Sequence, residues 1–376
     1  MSRPDWNVMV VGGGTAGCAV AVALGRAGVD GVVVLERTAR PGARVGESIP
    51  PDTRLVFGRL GVWDEFAAER HEPCVGSCSS WGDEELAFND FLFNPHGTGW
   101  HLDRPRFDAW LAGRALAAGA QLRRGTRFDG VERTPGGLRV RLTAPDGTAA
   151  TASTRVLVDA TGAGAFVARA LGAGRLRQDR LSCVTGYLNA GDFGRLTLLE
   201  AVEYGWWYAA RVPDGRVAVA VASDPDLVAA AGLHTPAGWR AALASTVHLS
   251  TQLSGRRVEE PLIVRSAHSA TLDQVCGTDW LAVGDAACAA DPLAARGIHA
   301  ALDDGDRSGR LIAARLAGDP TALLAHQATV AARFEDYRAG REYFYRQEAR
   351  WADAPFWIRR QARSAAPNLI AAGANR

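Results

Sequence analysis

The chain has 376 residues, of which 47% are hydrophobic and 22% charged, and a formal net charge of +1. That length predicts two or three domains or one large elaborated one. The near-neutral charge excludes the basic footprint of a nucleic-acid or membrane-surface binder. No apolar run is long enough to span a bilayer, and no basic and apolar leader precedes the first strand, so a cytoplasmic location is expected.

The six cysteines, Cys18, Cys74, Cys78, Cys183, Cys276 and Cys288, are scattered. They read as free thiols of a reducing compartment. Only His71 lies near Cys74 and Cys78, so no metal site is expected. All 42 basic residues are arginine, and no lysine occurs at any position. Schiff-base chemistry and a lysine general base are therefore excluded.

Residues 7–36 read as strand, glycine turn, helix, strand. Apolar runs at Val8–Val11 and Val32–Leu35 flank Gly12, Gly14 and Gly17, the G-x-G-x-x-G spacing of a dinucleotide-binding βαβ unit. Gly12 permits the tight turn, Gly14 lets a pyrophosphate approach the backbone, and Gly17 lets helix and strand pack closely. Thr15 and Ala16 open the helix, whose free N–H groups favour phosphate. Glu36 ends the second strand where a ribose-binding acid is expected. Arg37 and Arg44 come after it as further cofactor candidates. This unit alone does not separate FAD from NAD.

A glycine- and proline-marked loop comes next, with Pro41, Gly42, Gly46, Pro50 and Pro51. It carries Glu47 and Ser48. A helix is expected from Asp52 as N-cap, bearing Leu55, Phe57, Leu60 and Val62. The segments GGGTAGCAVA (12–21), VGESIPP (45–51) and LGVWDEF (60–66) together resemble the flavin-dependent halogenase and monooxygenase superfamily. The resemblance lies in its tryptophan-halogenase-like branch, nearest to the flavoproteins that mature tryptophylquinone amine oxidases. It implies an α/β fold: a Rossmann-like, hydroxylase-type (GR2-like) FAD-binding domain, an antiparallel-sheet substrate domain and a helical C-terminal region. It also implies that the loop with Glu47 and Ser48 passes near the isoalloxazine ring.

Later segments extend the resemblance to about Arg310. Residues 71–101 mix aromatics and short alternating strands, and read either as core or as part of the substrate wall. Asp103 or Pro105 opens a helix with Phe107, Leu111 and Leu116 on its apolar face. Arg104 there matches an arginine that lies at the cofactor in relatives, where a guanidinium can fork onto pyrophosphate oxygens. Strands are expected at 121–123, 128–133, 138–142 and 156–158. The run VLVDATGAGAFVARALG resembles the second FAD motif and places Asp159 and Gly162 near pyrophosphate and adenosine. Ala163 stands where relatives carry a basic residue.

Antiparallel strands are expected over 183–188, 197–202, 206–212 and 216–221, with Pro213-Asp214-Gly215 as a hairpin turn. Alternation puts Trp206 and Tyr208 on one face, proposed to line the substrate cavity, and Trp207 on the other. WLAVGDAACAADPLAARGIHAALDD (280–304) resembles the third FAD motif. It implies Gly284 at the turn, Asp285 on a ribityl hydroxyl, Pro292 in the loop, and a helix N-terminus at Gly297 and Ile298 facing the flavin N1 and C2=O. Three motifs in this order select FAD over NAD. Glu47 and Asp291 are the candidate catalytic carboxylates. The tail from Pro320, rich in arginine and aromatics, is expected to be helical and to pack across both domains, with peptide binding as the alternative.

The expected division gives an FAD-binding part in three pieces, 1–75, 103–180 and 269–318. A substrate-domain insertion occupies 76–102, the antiparallel-sheet domain 181–268, and the helical region 319–376. By the resemblance, the expected function is FAD-dependent hydroxylation of an electron-rich aromatic through a flavin C4a-hydroperoxide. The substrate is an indole or tryptophan, free or within a peptide or protein. A separate flavin reductase or NAD(P)H would supply electrons. A halogenase, a non-oxygenating flavin oxidoreductase of the same fold and a non-catalytic flavin-bearing maturation partner remain as alternatives. The halogenase reading is weakened in two ways. Halogenases of this type relay hypochlorous acid through a lysine, and their W-x-W-x-I-P signature is replaced here by adjacent tryptophans and then ARVP.

Overall fold

The computed structural model describes residues 4–40, 42 and 44–362. Pro41 and the tail beyond residue 362 lie outside the described residues. β1 (Trp6–Val11) leads into α1 (Thr15–Arg26) and β2 (Val32–Glu36). Val8–Val11 of the first and Val32–Leu35 of the second are buried apolar runs in the first core. β3 (Ser48–Ile49) and α2 (Thr53–Leu60) come next. Thr53, Val56, Phe57 and Leu60 form the buried stripe of α2, so Leu55 falls off it and is exposed. Gly61, left-handed at φ 68°, stops the helix. Val62 is therefore not part of α2; it stands before α3 (Trp63–Ala68).

β4 (Glu72–Cys74), β5 (Gly76–Ser80), β6 (Ala87–Asp90) and β7 (Gly99–His101) are the next strands. Phe88 and Phe93, read as core or substrate wall, are exposed instead. α4 (Arg104–Ala117) is capped by the Asp103 carboxylate, which accepts from the Arg106 N–H. Its stripe is Arg104, Phe107, Leu111 and Ala115, so Leu116 lies outside it and is exposed.

β8 (Gln121–Arg124), β9 (Arg127–Thr134), β10 (Gly137–Thr143) and β11 (Ala149–Asp159) complete most of the first sheet. Its order is β8-β2-β1-β11-β10-β9. β11 is longer than the expected 156–158: its first half pairs antiparallel with β10 and its second half parallel with β1, Val11 lying opposite Asp159.

After α5 (Phe166–Ala170) and β12 (Arg175–Arg177), the chain builds a second sheet from β13 (Ser182–Asn189), β14 (Leu196–Val202), β15 (Gly205–Arg211) and β16 (Arg216–Ser223). Helices α6 (Pro225–Ala230), α7 (Pro236–Ala244) and α8 (His248–Leu253) precede its last strand, β17 (Val258–Ser266). The order is β17-β13-β16-β15-β14-β5-β6, so residues far apart in sequence close one sheet. β18 (Ala270–Leu272) leads to β19 (Trp280–Ala282), which pairs parallel with the end of β11. β20 (Cys288–Ala289) precedes α9 (Gly297–Leu316), α10 (Ala325–Gln347) and α11 (Pro355–Gln361). No helix of the described residues is long and apolar enough to cross a membrane.

Three cores result. One fills the first sheet and its helices, with α9 against α1. A second lies between the second sheet and α7, where Trp207 meets Trp239 at 5.2 Å. The third joins the opposite face of that sheet, through Trp206, to Tyr345, Phe356 and Trp357 of α10 and α11.

Candidate flavin site

β1, β11 and β19 lie side by side and end together, which brings three sequence-distant turns to one crevice. At the first, Gly12 turns at φ +114°, and any Cβ there or at Gly17 would collide with backbone oxygens. A Cβ on Gly14 would meet only the Arg44 guanidinium, at 2.9 Å. Gly14 thus leaves a cradle roofed by a cation, at the N-terminus of α1 where Thr15 and Ala16 begin the helix.

Glu36 closes one end of this cradle. Its Oε2 accepts from the Gly13 N–H (3.0 Å), and its Oε1 from the N–H and hydroxyl of Thr38 (2.8 and 2.7 Å). Burial pushes its pKa up, but the Thr38 and Gly13 bonds and Arg44 outweigh this and hold the carboxylate below its usual range. Arg37 is exposed at the end of β2. Arg104 donates from one nitrogen to the carbonyls of Val45 (2.8 Å) and Gly46 (2.7 Å) and faces Asp108, leaving its buried Nε without a partner. It therefore positions the loop of Glu47 rather than standing free as a phosphate fork.

At the second turn Asp159 is consumed locally. Its carboxylate accepts from the Thr161 N–H and hydroxyl (2.9 and 2.6 Å) and from the Ala168 N–H (2.8 Å), so it holds the turn, and unlike Glu36 it is fully buried and presents no surface to a ligand. Gly162, at φ 67°, carries that turn. At the third, Gly284 has φ 58°, and a Cβ there would press on Ala16 at 2.9 Å. Its N–H donates to Asp304 Oδ2 (2.9 Å), a fully buried carboxylate that Arg333 of α10 clamps through two nitrogens. Nothing in the sequence signals this Asp304–Arg333 pair; an Asp-Asp run on a helix reads as a solvated face.

Asp285 differs from its neighbours. Its side chain reaches solvent and accepts no hydrogen bond from a described residue, while the surrounding protein raises its pKa against the pull of Arg104, Arg175 and Arg333. Asp291, paired in expectation with Glu47, is turned away from a reactive role. It accepts from the Leu293 N–H (2.8 Å) and the Tyr345 hydroxyl (2.7 Å) and faces Arg341 at 3.6 Å, so it fastens the loop of Pro292 to α10. Beyond that loop Gly297 opens α9, with Ile298 buried behind it.

Glu47 is nearly inaccessible. Its Oε1 accepts from the Tyr187 hydroxyl (3.0 Å) and its Oε2 from the Gly46 N–H (3.1 Å). Burial raises its carboxyl pKa, opposed by Tyr187 and Arg104. Beside it, the hydroxyls of Ser48 and Tyr208 meet at 2.7 Å. Trp206 and Tyr208 share one face of β15, and the Trp206 indole N–H donates to the Tyr345 hydroxyl (3.0 Å). Cys183 lies within the fields of both Glu47 and Asp291, and burial with those charges pushes its thiol up to about 12. Sequence reasoning misses Tyr187 and Tyr345, which shape this region, because tyrosine on a strand or helix carries no spacing signal. Among the described residues no group of three or more His, Cys, Asp or Glu could hold a metal.

These features fit FAD: a Cβ-free cradle under Arg44, a carboxylate at the ribose end, and an unpartnered Asp285 in the crevice. Residues 5–210, which include the glycine turn, match the family model described as FAD binding domain. The chain is similar to LodB of Marinomonas mediterranea, described as a candidate FAD-dependent oxidoreductase, at 29% identity, with 96% of this chain and 98% of that one aligned. It is also 27% identical to a flavin-dependent halogenase, gsfI, of Penicillium aethiopicum, over 83% of this chain but 65% of the relative. Among solved structures it resembles a peptidyl tryptophan dihydroxylase, QhpG, essential for tryptophylquinone cofactor biogenesis. There the TM-score is 0.73 and the identity 27%, over 96% of this chain and 79% of that one. The chain belongs to the FAD-binding-domain family and is an FAD-dependent oxidoreductase of the flavin-dependent halogenase and monooxygenase superfamily.

Proposed function

We propose that this protein is a monooxygenase that hydroxylates an electron-rich aromatic ring, an indole or tryptophan side chain carried by a peptide or protein. The observation that carries this reading is the wall around Glu47: a buried carboxyl and tyrosine hydroxyls, with no lysine amine anywhere in the chain. FAD, when bound and reduced in air, supplies the activated oxygen. The chain's own residues do the rest. Glu36, the Gly12–Gly17 turn and Arg44 hold the dinucleotide, and Asp285 its ribityl chain. Glu47 Oε1, basic because buried, draws the hydroxyl proton of Tyr187, which in turn takes the proton that a ring carbon loses after oxygen has added. Tyr208 and Ser48, bonded to each other, close the roof and exclude water. The likeness to a peptidyl tryptophan dihydroxylase supports the substrate class.

A halogenase is the second reading, favoured by the halogenase relative. Arginine is a poor substitute for the relaying lysine, because its guanidinium stays protonated and has no free lone pair. Turnover of tryptophan peptides with reduced FAD, O₂ and excess chloride or bromide separates the two by mass spectrometry. The expected product gains one or two oxygens; halogenated product would overturn the hydroxylase reading.

A further inference from the structure

We infer that β6 and the loop after it form a docking strip for an extended, basic segment of a protein partner. This rests on the proposed function in one respect: the partner is the protein that carries the aromatic residue.

β6 is the last strand of its sheet and pairs with β5 alone, through Gly76–Ser79, so its outer edge offers free backbone donors and acceptors. All four of its residues are exposed. Phe88 is 67% exposed, Leu92 75% and Phe93 94%, an apolar concentration within six residues that has no core to enter. The end of β6 and the turn that leads into it are also acidic. Asp83, Glu84, Glu85 and Asp90 form no ion pair with a described residue, although the chain's arginines pair with carboxylates over much of the surface. Uncompensated carboxylates on an open edge and on the turn that enters it repel a second copy of the same edge and attract arginine or lysine. The occupant is therefore a basic partner strand and not another copy of this chain.

The strip is held rigidly. The Trp81 indole donates to the Phe344 carbonyl (2.7 Å), and the Gly82 N–H to Glu348 Oε2 (2.8 Å), which fixes the hairpin to α10. Its far end reaches the flavin side: the Phe91 ring lies against Gly99 of β7, and β7 pairs with β3, whose Ser48 meets Tyr208. A strand added along β6 would thus run toward the roof of the site. Phe88 and Asp90 share one face. A partner with an apolar and a basic side chain two residues apart would meet both, while its backbone extends the sheet.

The test uses the full chain with FAD bound and two fluorescein-labelled peptides, one of Val-Thr-Arg-Thr repeats and one of Val-Thr-Glu-Thr repeats, each of which places an apolar and a charged side chain two residues apart on one face. Fluorescence anisotropy should show binding of the basic peptide only, lost when its backbone amides are N-methylated. Phe88→Ser and, separately, Asp90→Arg should each weaken it by about tenfold or more, one such factor corresponding to about 1.4 kcal/mol, with FAD content unchanged. Basic-peptide binding that neither variant alters would overturn the assignment. So would dimerisation of the chain that Phe88→Ser abolishes, since the occupant would then be a second copy. Because binding is read without turnover, a protein that binds the peptide at β6 but hydroxylates nothing would sink the proposed function and leave the docking strip standing.

Discussion

Glu36 does two things at once, which sets the effect of losing it. It holds the Gly13 N–H in the glycine turn and sits where ribose hydroxyls are expected. Glu36→Ala should weaken FAD binding by roughly 1.5–3 kcal/mol, the cost of a hydrogen bond to a charged group; a fluorescence titration with unchanged affinity would remove it from the site. Glu47 makes a prediction of opposite character. Burial raises its folded-state pKa, so the folded state binds a proton more readily than the unfolded chain. The stability this supplies is complete below the ordinary value of 4.5 and is lost as pH rises through the raised folded value. Thermal melts of Glu47→Gln against the parent should therefore diverge with rising pH in the variant's favour, and a pH-independent difference would show that Glu47 is not shifted. At this scale the sequence shows what backbone geometry demands, the glycines and the strand-ending acids. It does not show that Asp159 and Asp291 are spent on local N–H groups and on Tyr345. Those partners come from packing between distant segments, and a carboxylate has the same appearance whether it is free or already bonded.

The elements themselves are tied by a few buried pairs. Asp304, fully buried in α9, satisfies the Gly284 N–H and is neutralised by Arg333 of α10. Arg333→Gln would leave a buried carboxylate without its cation, so a loss of about 3–5 kcal/mol is expected. A melting temperature within a degree or so of the parent would contradict it, since about 1 kcal/mol moves a large domain by only a few degrees. Close packing of α9 on α1 has a similar dependence: a Cβ at Gly305 or Gly309 would collide with Ala19 or Ala23. Gly305→Leu should therefore lower FAD occupancy together with stability, measured by the flavin absorbance of purified protein. Longer strands with turn residues at both ends are readable from alternation. The two-residue strands β3 and β20 are not, because periodicity needs more residues than they have. Hydrophobicity alone puts Leu55 and Leu116 on buried stripes, and the structure shows each one step off the stripe.

At the scale of the molecule, the C-terminal helices connect both sheets. Arg333 reaches the first through Asp304, while Arg360 pairs with Asp224 and the Trp357 indole donates to Val202 of the second. Packing across both is what the aromatic tail leads one to expect. Its contribution of Tyr345 to the flavin side is not, since nothing local to 345 points there. The interleaving also sets an order of events during synthesis. β1 and β2 emerge first, but the helix that covers α1 and the strand that completes the crevice lie between Trp280 and Leu316, beyond the whole of the second sheet. The antiparallel strands, joined mostly by short connections, can close while the earlier half waits with one face of α1 bare. A flavin that needs all three turns of the crevice then binds only after residues 280–316 have been made and packed, so its binding marks the joining of the two halves of the first sheet and its helices.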